Sequence, residues 1–270
     1  MTFDVPEDVA ELLDTVQAGV QETLGDNLVG VYLRGSLALG DFVSATSDVD
    51  VLTVTERPVS AAEFASLAAL HTHLAALPHP YSRRLEIAYI DRGALRRFVP
   101  GQQYPTLGQG GALAWSEHRP NWILERWTVR EHGVPLSGPD PQALIEPITG
   151  DDLRAAVCAR LPDWAAWADQ PDDPDWLLPL SHNAYVVETM CRALYTLACG
   201  ELASKPRAVA WARATLPEPW RTLVVRSQGW RTDNTTDLSV VPEVRRFIRW
   251  AAGRERTCRP QWEDRPSQEP

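Results

Sequence analysis

The spacing of apolar residues changes along the chain, and each change marks an element. From Glu7, the residues Val9, Leu12, Leu13, Val16, Val20 and Leu24 recur at helical spacing. Pro6 and the acids Glu7 and Asp8 mark that helix's start, and Gly25 stops it. The pattern then becomes continuous. Leu28 to Leu33 and Asp48 to Thr55 read as buried strands. A helix begins at Ser60 and ends before Pro78, and Leu85 to Ile90 reads as a third strand. The order helix, strand, strand, helix, strand predicts an α/β or α+β sheet domain.

The stretch from Pro100 to Gly111, rich in Gly, Pro and Gln, reads as a loop. Asn121 to His132 reads as a helix and Gly133 to Pro141 as a turn-rich crossing. Helical spacing dominates the second half of the chain: Asp151-Asp152 to about Ala168, His182 to Ala198 with Gly200 as its stop, Ala208 to Thr215, and Val241 to Ala252. The change in pattern places a sheet domain over 1–150, a helical domain over 151–253 and a flexible tail over 254–270.

Composition narrows the possible partners. The chain has 270 residues, 44% hydrophobic, enough for one large domain or two modest ones. The formal charge of −10, with Lys and Arg in no cluster larger than pairs such as Arg96-Arg97, argues against nucleic acid and for a neutral or cationic partner. Cys158, Cys191, Cys199 and Cys258 lack C-x-x-C spacing, so they read as structural thiols of a cytoplasmic protein, not zinc ligands. The acidic N-terminus is unlike a signal peptide, and no apolar run approaches the ~20 residues that span a bilayer. The tryptophans read as packing residues.

The chemistry concentrates in "VYLRGSLALGDFVSATSDVDVLTV", Val31 to Val54. Gly35-Ser36 follows a strand, where backbone N–H groups and a hydroxyl suit phosphate oxygens; alone, the pair reads as a turn. Asp48 and Asp50, two apart on a strand, point to the same side. Two carboxylates that close repel unless a cation joins them, and hard oxygen ligands suit Mg²⁺. Glu86 lies inside the third strand, where a carboxylate is out of place unless it faces a polar site. If that strand lies beside the second, Glu86 joins the two aspartates, and such a site suits phosphoryl or nucleotidyl transfer. In the helical half, Tyr185, Glu188, Arg192 and Tyr195 form a polar stripe, opposite an apolar face of Ala184, Val187, Met190, Cys191, Leu194 and Ala198.

Gly35-Ser36, an eleven-residue gap, Asp48-x-Asp50 and the distant Glu86 resemble the signature of the nucleotidyltransferase superfamily. "REHGVPLSGP" (Arg130 to Pro139) and "TMCRALYTLACGELASKPRAVAWA" (Thr189 to Ala212) resemble the streptomycin/spectinomycin (aminoglycoside) adenylyltransferases, with the likeness running from about Asn27 to Ala252. The resemblance implies an α+β fold: a nucleotidyltransferase-type mixed β-sheet domain with flanking helices, followed by an α-helical bundle domain. It implies Mg²⁺-dependent transfer of AMP from ATP to a hydroxyl of an aminocyclitol, with release of pyrophosphate.

Site roles are implied by the same likeness. Asp48, Asp50 and Glu86 would be the metal and catalytic carboxylates, Glu86 also being the base. Gly35, Ser36, Ser47, Asn121, Arg192 and Lys205 would contact ATP; Asn121 stands where the family carries an aspartate. Tyr185, Glu188, Trp176 and Asp173 are candidates to bind a small cationic polyol. The same chemistry on another acceptor, a protein, tRNA or other polyol, is the alternative. A monomer is expected.

Overall fold

The computed structural model describes residues 5–108 and 110–254 and divides the chain into two compact units, 1–147 and 148–270. The first unit is a six-stranded mixed sheet of order β5-β4-β3-β2-β1-β6. Its elements are α1 (Glu7–Leu24), β1 (Leu28–Leu33), α2 (Gly35–Ala38), β2 (Val49–Thr55), α3 (Ala61–Ala76), β3 (Leu85–Asp91), α4 (Arg92–Arg96), β4 (Gln103–Leu107), β5 (Ala114–Glu117), α5 (Asn121–His132), β6 (Val134–Ser137) and α6 (Pro141–Leu144). Among the described residues only β2 and β3 pair in parallel; the crossover between them is α3.

The strong sequence signals are met. All six apolar positions of α1 are buried, and Gly25 caps the helix at φ +50°. Ser60 and Glu63 form a reciprocal capping box at the start of α3, satisfying two backbone donors that the helix end leaves open. Three strands were not expected. β4 lies within the Gly- and Pro-rich stretch read as a loop, β5 comes after it, and β6 occupies the crossing after α5. All three are short, four or five residues, too brief to show a period.

The alternation of strand side chains divides the sheet into two faces with different work. Val31, Leu33, Val49, Val51, Leu85, Ile87 and Tyr89 join one apolar core with α1 and α3. The intervening residues Tyr32, Asp50, Leu52, Glu86 and Ala88 therefore project to the other face. Near this face α5 is fixed by Arg126, which is buried and whose guanidinium donates to the carbonyls of Ala94, Leu95 and Trp122.

The second unit contains α7 (Gly150–Ala168), α8 (Leu180–Cys199), α9 (Lys205–Thr215), α10 (Trp220–Ser227) and α11 (Val241–Ala252). Thr149 caps α7: its hydroxyl accepts from the Asp152 amide, and Asp152 accepts in return. Gly200 ends α8 in the left-handed region at φ +67°. Val187, Met190, Cys191 and Leu194 of α8 enter a core that also holds Val209, Leu223, Phe247 and Ile248. Trp164, Trp167, Trp211, Trp220, Trp230 and Trp250 pack around it, so these tryptophans serve packing. Cys191 and Cys199 are free thiols, whereas Cys158 is disulfide-bonded, which corrects the reading of it as a thiol. The expected tail, 254–270, lies outside the described residues beyond Arg254. Among the described residues no helix is long and apolar enough to cross a membrane.

Two buried histidines make the first unit acid-sensitive. Burial pushes His71 down to about 4, and its Nε2 lies 2.7 Å from the Tyr89 hydroxyl. His118 is pushed down to about 3, by burial first and then by Arg126 and Arg34. In the unfolded chain each takes a proton near pH 6.5, so stability present above that pH is lost on acidification towards the folded values. At pH 5, His71 alone should cost about 2 kcal/mol. Urea unfolding at pH 7.5 and pH 5 should therefore show a smaller loss for His71→Gln than for the unchanged protein.

Candidate active site

The site begins with strand register. β3 lies beside β2 in parallel, with Asp50 opposite Glu86. Both side chains project away from the α1/α3 core, and Asp48, just before β2, is near enough to raise the Glu86 pKa. β1 delivers the next group. Arg34 is the first residue beyond that strand, and its amide donates to the Asp50 carbonyl at 3.0 Å.

Gly35 comes next at φ +62°, and a Cβ built there would lie 2.1 Å from Asp50 Oδ2. A glycine is therefore required for two separate reasons: the left-handed backbone and the carboxylate lying against its Cα. Ser36 is the second residue of α2, four residues long. The Ser47 hydroxyl accepts from the Val43 amide, closing the turn before Asp48.

Sequence reasoning missed four residues of this cluster. The Arg34 guanidinium lies among the acids, with Nη1 3.2 Å from Asp50 and 2.8 Å from Glu125, and Nη2 3.8 Å from Glu86. Glu125 comes from α5, one turn after Asn121. The ring of Trp122 lies 5.5 Å from the guanidinium and is itself stacked on His118 at 3.5 Å. Arg84 Nε approaches Asp48 at 3.8 Å, and Arg84 donates to the carbonyls of Ser44 and Ser47. One signal was available for Arg34: a charged residue directly after the apolar run Val31 to Leu33.

The electrostatics are those of crowded acid. Burial pushes Glu86 up, and Asp50 adds to the push; Arg34 draws it down, Asp48 and Glu125 raise it, and it settles at about 7. Burial opposes the Arg34 charge, but Asp50, Glu125 and Glu86 outweigh it and raise its pKa. A carboxylate near 7 can take a proton at neutral pH yet is not so weak an acid that it stays protonated.

A divalent ion fits this donor set in chemistry. Asp48, Asp50 and Glu86 are neighbouring hard oxygen ligands, and Mg²⁺ commonly needs only one or two carboxylates beside phosphate oxygens. In the present side-chain arrangement, however, no three acidic, His or Cys groups among the described residues form a metal cage. Arg34 lies where their charges meet.

The residues assigned to the helical domain separate into two sets. Lys205 Nζ stacks over the Tyr185 ring at 4.9 Å, and Arg192 Nε donates to the carbonyl of Ala203, in the loop leading to Lys205. Tyr185 is exposed. The other candidates are occupied. Trp176 is buried, stacked on Trp167 at 3.9 Å, and its indole N–H donates to the Gln170 carbonyl. It packs in the core of the second unit. Glu188 is also buried and pairs with Arg231 at 3.1 Å, and Tyr195 is buried, so the expected polar stripe does not face outward as a whole. The Asp173 carboxylate accepts from the Asp175 amide and caps the turn that carries Trp176.

Comparison with known proteins agrees with this architecture. Residues 143–252 match the family model described as the aminoglycoside adenylyltransferase C-terminal domain. The chain is 26% identical over 223 residues to a spectinomycin 9-adenylyltransferase of Staphylococcus aureus, covering 78% of this chain and 81% of that one. It is 25% identical over 264 residues to an aminoglycoside (3'') (9) adenylyltransferase of Shigella flexneri, covering 91% and 94%. The fold matches the crystal structure of spectinomycin adenyltransferase AAD(9) from Enterococcus faecialis with ATP and spectinomycin. That match has a TM-score of 0.71 and 18% identity, over 92% of this chain and 99% of that chain.

Two outcomes test the site as built. Gly35→Ala must adopt the left-handed region and displace Asp50, so it should lose about 2 kcal/mol or more of stability in urea unfolding. Glu86 behaves oppositely. Its folded pKa lies above its ordinary value, so its ionisation costs stability as pH rises from about 4.5 to about 7. Without divalent ions, Glu86→Gln should unfold at a higher temperature than the unchanged protein at pH 8, with the gap closing at pH 4.

Proposed function

We propose that this chain, a nucleotidyltransferase that resembles the aminoglycoside adenylyltransferases, transfers AMP from ATP to a hydroxyl of an aminocyclitol of the spectinomycin or streptomycin class. The single observation that carries the reading is Asp50 opposite Glu86 on adjacent parallel strands, with Asp48 nearby and Glu86 pushed up to about 7. The similarity to adenylyltransferases over most of the chain supports the acceptor class.

In this reading Glu86 accepts the proton of the attacking hydroxyl, and its burial, with Asp50 beside it, makes it a usable base at neutral pH. Asp48, Asp50 and Glu86 would hold Mg²⁺, which when bound would neutralise the triphosphate and favour departure of pyrophosphate. Gly35, Ser36 and Ser47 would contact the triphosphate, with Asn121 one turn from Glu125 as a neutral contact to the nucleotide. Arg192 and Lys205 would add positive charge to the phosphates. Tyr185 is the acceptor candidate with an exposed ring, and an acidic chain suits a cationic polyol. The protein would act in the cytoplasm as a monomer.

The test is transfer of label from ATP with Mg²⁺ to a panel of aminocyclitols. Labelled spectinomycin or streptomycin is expected, and Glu86→Gln should reduce kcat by roughly 10²–10⁴ without unfolding the protein. Transfer to another polyol, a protein or tRNA, with none to the panel, would replace the acceptor and keep the chemistry. Full activity in Glu86→Gln would remove the assigned base.

A further inference from the structure

Three carboxylates share one guanidinium in the first unit, and the geometry of that sharing is uneven. The Arg34 contact to Glu125 is a hydrogen bond of 2.8 Å; those to Asp50 and Glu86 are 3.2 and 3.8 Å. Its Nε is buried and has no hydrogen-bond partner. The guanidinium is thus held by single contacts instead of a two-pronged grip, and its firmest anchor is the carboxylate outside the Asp48, Asp50 and Glu86 set.

We propose that Arg34 is a built-in, displaceable cation that occupies the acidic cluster when no divalent ion is bound, and that Glu125 is the carboxylate to which it withdraws when one binds. The inference rests on the reading that Asp48, Asp50 and Glu86 hold a divalent ion. It concerns positioning and metal affinity; neither Arg34 nor Glu125 is assigned contact with the reacting atoms.

The physical reason is charge balance. Three carboxylates this close cannot all stay ionised in a largely buried site without positive charge between them. Arg34 supplies one unit permanently, whereas a bound divalent ion supplies two. Both cannot sit on Asp50 and Glu86 without repelling each other. Glu125 resolves the conflict, because it pairs the guanidinium at the edge of the cluster. Trp122, 5.5 Å away, offers a ring face towards which the cation can also lean. Arg34 therefore competes with the divalent ion, and Glu125 weakens that competition.

The two residues have opposite effects, which a merely structural role would not give. Mn²⁺ binding is measured by paramagnetic titration on the full chain without nucleotide, with thermal unfolding alongside. Arg34→Met should bind Mn²⁺ at least about tenfold more tightly, because a like charge has been removed. Glu125→Gln should bind it several-fold more weakly, because the guanidinium then has only Asp50 and Glu86 to pair with. In the Arg34→Met, Glu125→Gln double variant the Glu125 effect should vanish. Unfolding of Arg34→Met should also shift upward with Mn²⁺ by more than that of the unchanged protein.

Equal or weaker Mn²⁺ binding in Arg34→Met would overturn the proposal and make Arg34 a structural support of the site. Should that variant fail to fold, Glu125→Gln decides alone, with unchanged or tighter binding overturning the idea. An absence of Mn²⁺ binding in every folded protein would remove the divalent-ion reading itself, and the inference with it.

Discussion

The repulsion between Asp50 and Glu86 is the constraint around which the first unit is organised. Parallel pairing of β2 and β3 sets these two residues opposite each other, and strand alternation gives their side chains no alternative face. Moving either strand by one residue would turn its carboxylate into the α1/α3 core and its core residues outward. The apolar sets Val49, Val51 and Leu85, Ile87 therefore lock the acids together as firmly as they lock the sheet. The site is strained electrostatically because the core is well made.

Several otherwise separate features trace back to that crowding. Gly35 is a glycine because the Asp50 carboxylate lies against it. Arg34 is buried, contrary to the habit of arginines, because it is needed as a counter-charge. α5 must be held accurately, since it brings Glu125 and Trp122 to Arg34, and the buried Arg126 ties that helix to backbone carbonyls around α4.

The same crowding separates the residues that were legible in the sequence from those that were not. Asp48, Asp50 and Glu86 stood out because a carboxylate beside Val49, Val51 or Ile87 violates the local apolar pattern. The parallel neighbour relation of β2 and β3 was a condition of that reading and is met. Arg34 and Glu125 were not legible in the same way. An arginine after a strand and a glutamate within a helix are ordinary, and only the packing of α5 brings them together. β4, β5 and β6 were missed for a related reason: they are short and defined by pairing with neighbours more than by their own residues. In the helical unit, periodicity found the apolar face of α8 but could not tell that Glu188 is buried against Arg231, since its partner comes from far along the chain.

Both units bury an arginine–carboxylate contact, yet the two are different objects. Glu188 meets Arg231 one to one, and the charges cancel. Such a pair is satisfied and has no unmet demand for a further ion. Arg34 meets Asp50, Glu86 and Glu125, and Arg84 approaches Asp48, so two arginines face four carboxylates. A folded protein tolerates such an imbalance at a cost in stability; at Glu86 burial first, and then the neighbouring Asp50, push the pKa up to about 7. Burial alone therefore does not separate these two carboxylates in this chain. The stoichiometry of charge does, and on the proposed reading the sheet's acidic face, not the buried Glu188, would gain from a cation.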